Sequence, residues 1–243
     1  MGKVLGITSG KGGVGKSTVS IGLAMAFAES GEKVLLVDMD EGLRCLDLML
    51  GVDSDVVFDL ADVLMGKDIE DALQQSAYTK GLYLIPAPAS VGMIDVFSFA
   101  RFVKEAAGIF DRVIFDFPAG IDLRLYKSLP KDALFLTVAV PDPVSLRDAA
   151  AISTELDKAS LDARLVINRF IYKQSIKWNF KNIDSMIDAS ALRLIGIVPE
   201  AEELAMLSLK HKLSRKGKAI AAFKRISRRI CGENVPLKKI KKI

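Results

Sequence analysis

The chain is poor in sulfur and imidazole and has no long apolar run. Cys45 and Cys231 are its two cysteines, no C-x-x-C pair occurs, and His211 is the single histidine. That supply argues against a zinc site, an iron–sulfur cluster and a disulfide scaffold. Cys45 reads as a small buried thiol and Cys231, just before Gly232, as a helix-end residue of the same kind. His211, between two lysines, reads as a solvated side chain, and Trp178 as a packing residue near the surface. Half of the residues are apolar, yet the longest apolar-rich stretches, such as Ala133 to Val140, fall well short of the ~18–20 residues that span a bilayer. They read as strands of a parallel sheet, buried on both faces. A strand begins almost at once, which leaves no room for a signal peptide and sets the expectation of a cytoplasmic protein. Repeats, low-complexity tracts and Pro/Gly/Ser linkers are also missing, so the 243 residues are expected to form one domain over residues 1–236, with a short tail at 237–243.

Charge is distributed unevenly. From Leu204 to Ile243 there are 13 Lys and Arg residues against one acid, Glu233, a net +12, so the preceding residues carry −8 of the chain's overall +4. A cationic C-terminal region on an acidic body points to an anionic surface, phospholipid or nucleic acid. In the tail, Leu237, Ile240 and Ile243 fall within about 120° of helical arc and the four lysines fall outside it. Seven residues do not hold a helix alone in water, so the tail folds only on a partner.

Short apolar segments alternate with amphipathic ones. Strands are expected at 3–8, 33–38, 81–86, 111–117, 133–140, 163–168 and 193–198, and helices near 16–30, 57–66, 95–107, 142–158, 182–189 and 215–231. This is the pattern of a three-layer α/β fold with a mostly parallel, twisted sheet and helices on both faces. Gly10, Asp38, Asp40, Asp116, Asn168 and Pro199 are then expected just beyond strand ends, where open α/β sheets bind ligands. In the final helix Ile220, Phe223, Ile226 and Ile230 share one side, expected to pack on the sheet, while Lys224, Arg225, Arg228 and Arg229 share the other.

The segment Gly10, Lys11, Gly12, Gly13, Val14, Gly15, Lys16, Ser17, Thr18 follows the first strand and opens a helix, so it satisfies G-x-x-x-x-G-K-[ST] in the required context. Its glycines let successive backbone N–H groups face phosphates. Lys16 reaches the β and γ phosphates, Ser17 ligates Mg²⁺, and the helix N-terminus adds positive potential. A nucleoside triphosphate is the expected ligand. Lys11 is a second cation in the loop, free to point at another subunit's nucleotide because Lys16 already serves its own.

The Lys11-to-Thr18 run resembles the deviant Walker A motif of the ParA/MinD family of P-loop ATPases. Five further segments follow in the family's order. Asp38-Met39-Asp40-Glu41-Gly42-Leu43-Arg44-Cys45-Leu46-Asp47 resembles the D-x-D-x-G-L-R-N-L-D of its MinD-like members, and Asp116-Phe117-Pro118-Ala119-Gly120 resembles D-[ST]-P-A-G. Ser145-Leu146-Arg147-Asp148 is similar to S-x-R-D, Asn168-Arg169 to the adenine-side N-R, and Gly196-Ile197-Val198-Pro199-Glu200 to G-x-[IV]-P-E. Cys45 stands where the pattern has Asn, Phe117 where it has a small polar residue, and only Ser208 matches the segment after Glu200.

The resemblance implies an ATP- and Mg²⁺-dependent hydrolase that works as a dimer. In it Asp40 orients the attacking water, Asp116 holds Mg²⁺ as Walker B, Asp38 supports the metal shell, Gly120 belongs to switch II, and Lys11 crosses to the partner's nucleotide. Asn168, with Arg169, Pro199 and Glu200, is implied to meet the adenine. The implied role is placement of the division septum, with a septum-assembly inhibitor and a topological regulator as partners and reversible attachment to the inner face of the membrane. A related regulator of flagellar number and a DNA-binding partition ATPase are the alternatives.

Overall fold

A computed structural model describes residues 2–77, 79–177, 180, 182–204 and 216–238. The expectations placed on Trp178, Ser208, His211 and residues 239–243, including Ile240 and Ile243, lie outside these residues. Among the described residues an eight-stranded sheet runs in the order β3-β4-β2-β5-β1-β6-β7-β8. The strands are β1 (Lys3–Thr8), β2 (Val34–Asp38), β3 (Gln74–Gln75), β4 (Leu82–Ile85), β5 (Arg112–Asp116), β6 (Leu134–Ala139), β7 (Asp162–Phe170) and β8 (Arg193–Pro199). All neighbours are parallel except the two-residue edge strand β3, which is antiparallel to β4. The expected fold class is therefore the observed one. β3 went unanticipated because two glutamines carry no apolar alternation.

Helices cover both faces. On one, α1 (Lys16–Glu29) and the C-terminal helix (Lys218–Ile230) pack together through Leu23, Phe27, Phe223 and Ile226 onto β1, β2 and β6. On the other, α5 (Val96–Ile109) and α7 (Pro143–Lys158) bury Phe99, Phe102, Ile152 and Leu156 among the aromatic residues of β5 and β6, and α9 (Ile183–Ser190) joins α7 against β7. The shorter helices α2 (Leu46–Leu50), α3 (Leu60–Leu64), α4 (Ile69–Ala72), α6 (Leu123–Tyr126) and α8 (Tyr172–Lys177) fill the connections.

Local chemistry starts these helices. Asp95 and Asp142 each accept two backbone N–H groups at the N-termini of α5 and α7, and Pro143 occupies the first turn of α7, where no N–H is needed. α1 is different: it starts without a side-chain cap, and its middle residues are buried on every side. Gly22 lets it approach the C-terminal helix, since a Cβ there would lie 2.3 Å from the ring of Phe223.

The apolar stripe of the C-terminal helix packs inward as expected, with Ile220, Phe223 and Ile226 buried. Its basic side is largely engaged within the chain. Lys224 pairs with Glu29 and Arg228 with Glu233, while Arg229 donates to the carbonyls of Ile195, Val235 and Pro236. Arg229 thereby pins the segment that leads into the tail.

Candidate functional site

Strand register assembles the site. Asp38 and Asp116 end the neighbouring strands β2 and β5 and are partners in register, so their carboxylates sit side by side with no solvent exposure. They thus close their strands rather than lie beyond them. The Gly10–Gly15 loop leaves β1, between β5 and β6, and turns into α1. Gly13 and Gly15 take the left-handed backbone conformation, φ +79° and +84°, which favours glycine. Gly12 and Gly13 face open space, as a phosphate cradle requires, whereas Gly10 is pressed against Asp148 of α7, 2.6 Å from where its Cβ would be. Asp148 therefore braces the loop from behind.

Lys16 extends under this loop to Asp116, with Nζ 2.9 Å from Oδ1. The same Oδ1 accepts the Ser20 hydroxyl at 2.7 Å. Asp116 Oδ2 is buried and has no partner among the described residues, an arrangement that costs on the order of 1–3 kcal/mol unless a cation or donor meets it. Asp38 is better satisfied: its oxygens accept the N–H groups of Asp40, Cys45 and Leu46. Even so its pKa is pushed up to about 6, chiefly because burial penalises the charge and also because Asp116 is near. Ser17 Oγ lies 3.5 Å from Cys45 Sγ. The thiol is pushed up to about 11 by burial first and then by the Asp38 carboxylate. The Ser17 hydroxyl and two buried carboxylates, one of them with an unpartnered oxygen, have the chemistry to take a small divalent cation beside the glycine loop, so Ser17, Asp38 and Asp116 are the candidate residues for one.

The loop after β2 carries Asp40, half-buried at the rim. Beside it Glu41, which the sequence did not single out, accepts three backbone N–H groups, those of Gly92, Met93 and Ile94. The loop that follows Asp116 is held in turn. Phe117 is buried in an aromatic group with Tyr126 and Phe135, Tyr126 Oη donates to the Gly120 carbonyl, and Gly120 N–H donates to Ser9 O.

A cleft of about 530 Å³ extends from the loop past Lys11, Pro141, Arg169 and Glu200. Lys11 is exposed on its lip. Asn168 lies within β7 rather than after it, 2% exposed, at an irregularity where Arg169 takes φ +53°. Its Nδ2 donates to Val14 O at 2.8 Å, and its Oδ1 is buried without a partner among the described residues. Asn168 thus fastens the glycine loop to β7, and Arg169 lines the cleft. Pro199 is buried as the last residue of β8; Glu200 is exposed, with its N–H on Phe170 O.

Residues 5–215 match the CobQ/CobB/MinD/ParA nucleotide binding domain. The chain is 34% identical to the septum site-determining protein MinD of Thermotoga maritima, over 98% of this chain and 91% of that one. Among solved structures it is similar to the MinC:MinD cell division protein complex of Aquifex aeolicus, with a TM-score of 0.86 and 32% identity over 98% of this chain and 99% of that one. The septum site-determining protein MinD of Pyrococcus horikoshii, solved with Mg-ADP, gives a TM-score of 0.82 and 29% identity over 95% and 96% of the two chains.

Proposed function

The chain belongs to the CobQ/CobB/MinD/ParA nucleotide-binding family, and from that premise we propose that it is an ATPase whose nucleotide cycle switches it between monomer and dimer to place the division site. The observation that carries this reading is the network of Lys16, Ser20 and Asp116 at the open phosphate loop. Lys16 neutralises Asp116 through its ammonium; with a triphosphate bound, Lys16 would turn to the phosphate oxygens, and Ser17 with the second oxygen of Asp116 would hold a divalent cation. A bound Mg²⁺ supplies charge neutralisation for the phosphoryl group.

The protein's own residues do the rest. Gly10 to Thr18 wrap the phosphates with backbone N–H groups, and Asp40 orients a water at the rim. Lys11, exposed beside the cleft, reaches the nucleotide of a second copy and completes its charge compensation. Arg169, Pro199 and Glu200 border the adenine, with Asn168 holding the loop beneath it. A MinC-type septum inhibitor is the proposed partner, because the Aquifex relative was solved in complex with MinC, together with a topological regulator. Residues 1–236 form the ATPase domain. The tail at 237–243 joins the dimer to anionic lipid on the inner face of the cell membrane, two copies binding where one is marginal. No helix among the described residues is long and apolar enough to cross a membrane, in keeping with peripheral attachment.

Sedimentation velocity with Mg²⁺ and ATP or ADP tests the switch. The wild type is expected to dimerise only with ATP, and Lys11→Ala to keep ATP binding as a monomer while losing dimerisation and turnover. A Lys11→Ala protein with normal turnover refutes the role of that lysine. Vesicle co-sedimentation of the full chain, and of one ending at Pro236, tests the tail. ATP-dependent binding to DNA in place of vesicles selects the partition reading instead.

A further inference from the structure

Cys45 packs against the core beneath α1 and at the same time faces the carboxylate corner of the site. Its Sγ, a carboxylate oxygen of Asp38 and one of Asp116 all lie within 4.8 Å of one another. The Ser17 hydroxyl is on the same side, 3.5 Å from the sulfur. The Cys45 N–H is bonded to Asp38, and that bond fixes the start of α2 so that the side chain faces the carboxylates. Asp116 is fully buried, its Oδ1 already shared by Lys16 and Ser20, and its Oδ2 has no partner among the described residues. That orphaned oxygen points to a cation independently of the cysteine.

Hard cations such as Mg²⁺ take oxygen donors and gain little from sulfur, whereas zinc-class divalent cations bind thiolate strongly and tolerate carboxylate beside it. An asparagine at position 45 would offer only an amide oxygen. The thiol changes which metals the same corner prefers.

We propose that Cys45, with Asp38 and Asp116, forms a mixed thiolate–carboxylate site that takes a zinc-class divalent cation in the nucleotide-free protein and makes the metal corner of the ATP site selective for such ions over Mg²⁺. The proposal rests on the ATPase reading for its consequence, competition with Mg²⁺, but not for the binding itself. On binding, the thiol proton passes to solvent and the sulfur becomes a ligand. The exposed Cys231 lies on the C-terminal helix's far end, beside Glu32 and Arg112, and does not take part.

Cobalt(II) is the probe, because a cobalt–thiolate bond produces a near-ultraviolet charge-transfer band that oxygen ligands do not. Full-length, nucleotide-free protein is titrated with Co²⁺, then with Zn²⁺ as competitor and Mg²⁺ as control. The expected result is a band saturating at one Co²⁺ per chain, removed by Zn²⁺, resistant to a hundredfold excess of Mg²⁺, retained in Cys231→Ser and lost in Cys45→Asn. Cys45→Ser, closer in size, replaces Cys45→Asn if circular dichroism shows that variant unfolded. Absence of the band in the wild type overturns the proposal, as does a band that survives loss of the Cys45 thiol or disappears in Cys231→Ser. Mg²⁺-ATP binding by the same preparation separates the two readings. ATP binding without the band leaves the ATPase standing and removes the thiolate site; the band without ATP binding does the reverse.

Discussion

Replacing Lys16 by alanine is expected to weaken the fold before any nucleotide is considered. Its ammonium lies 2.9 Å from Asp116 Oδ1, with the lysine side chain 10% exposed and the aspartate 0%. Removing the cation leaves a buried carboxylate with the Ser20 hydroxyl as its remaining hydrogen-bond partner. Breaking a buried pair from one side costs about 3–5 kcal/mol, because the other charge stays desolvated and uncompensated. A domain of this size has a total stability on the order of 5–15 kcal/mol. At roughly 2–4 °C per kcal/mol, the midpoint of thermal unfolding should fall by roughly 6–20 °C. Urea unfolding of nucleotide-free protein in EDTA, followed by far-ultraviolet circular dichroism, measures the loss directly. The partner substitution decides its cause: Asp116→Asn in the Lys16→Ala background should recover most of it, since a neutral amide carries no charge to strand. A Lys16→Ala protein as stable as the wild type refutes the argument, and so does a double variant no better than the single one. Any loss of ATP binding in Lys16→Ala must therefore be read at temperatures where the variant is still folded.

Gly22→Ala sets helix propensity against packing. The alanine gains about 1 kcal/mol within α1, but its Cβ would lie 2.3–2.6 Å from three atoms of the Phe223 ring, itself 1% exposed, and overpacking costs about 1–3 kcal/mol. A lower urea midpoint, partly restored by Phe223→Leu, is expected; a raised midpoint would show that the helices part freely. Glu41→Ala removes the acceptor for the N–H groups of Gly92, Met93 and Ile94. Because this contact is partly solvated, a local loss of about 1.4–2 kcal/mol is expected, read as roughly ten- to thirtyfold faster hydrogen exchange at those three amides. Unchanged protection would mean that the 88–94 loop holds itself.

The phosphate loop and the parallel sheet were legible in the residues because both rest on local rules: glycine spacing between a strand and a helix, and apolar runs of strand length. The expected strands at 3–8, 111–117 and 133–140 appear as Lys3–Thr8, Arg112–Asp116 and Leu134–Ala139. α2, α4, α6 and α8 were missed, being too short to show a helical period. Cys45 packs on the core, in keeping with its reading as a small thiol, but its place beside Asp38 and Asp116 was hidden for a related reason: β2, β5 and α1 converge through register rather than through neighbouring residues. The amide of Asn168 suggests a base contact, and beside the irregularity in β7 its Nδ2 also ties down Val14 O, a bond across 154 positions that no local pattern foretells. Glu41 gave no signal at all, because its three partners lie about fifty positions away.

α1 is enclosed on nearly every side, with Val19 to Ala28 buried without a break. A helix clamped in this way has no solvent face along which to roll, slide or tilt when charge arrives at its N-terminus. The glycine loop consequently stands on a packed floor. Around it the Asp40–Glu41 corner and the 92–94 segment are joined by hydrogen bonds at the rim, where Ile94 adds a core contact, and Gly120 sits at φ +107°. Under the proposed ATPase cycle, any movement that follows the γ-phosphate is therefore expected at the rim of the sheet and not in its floor.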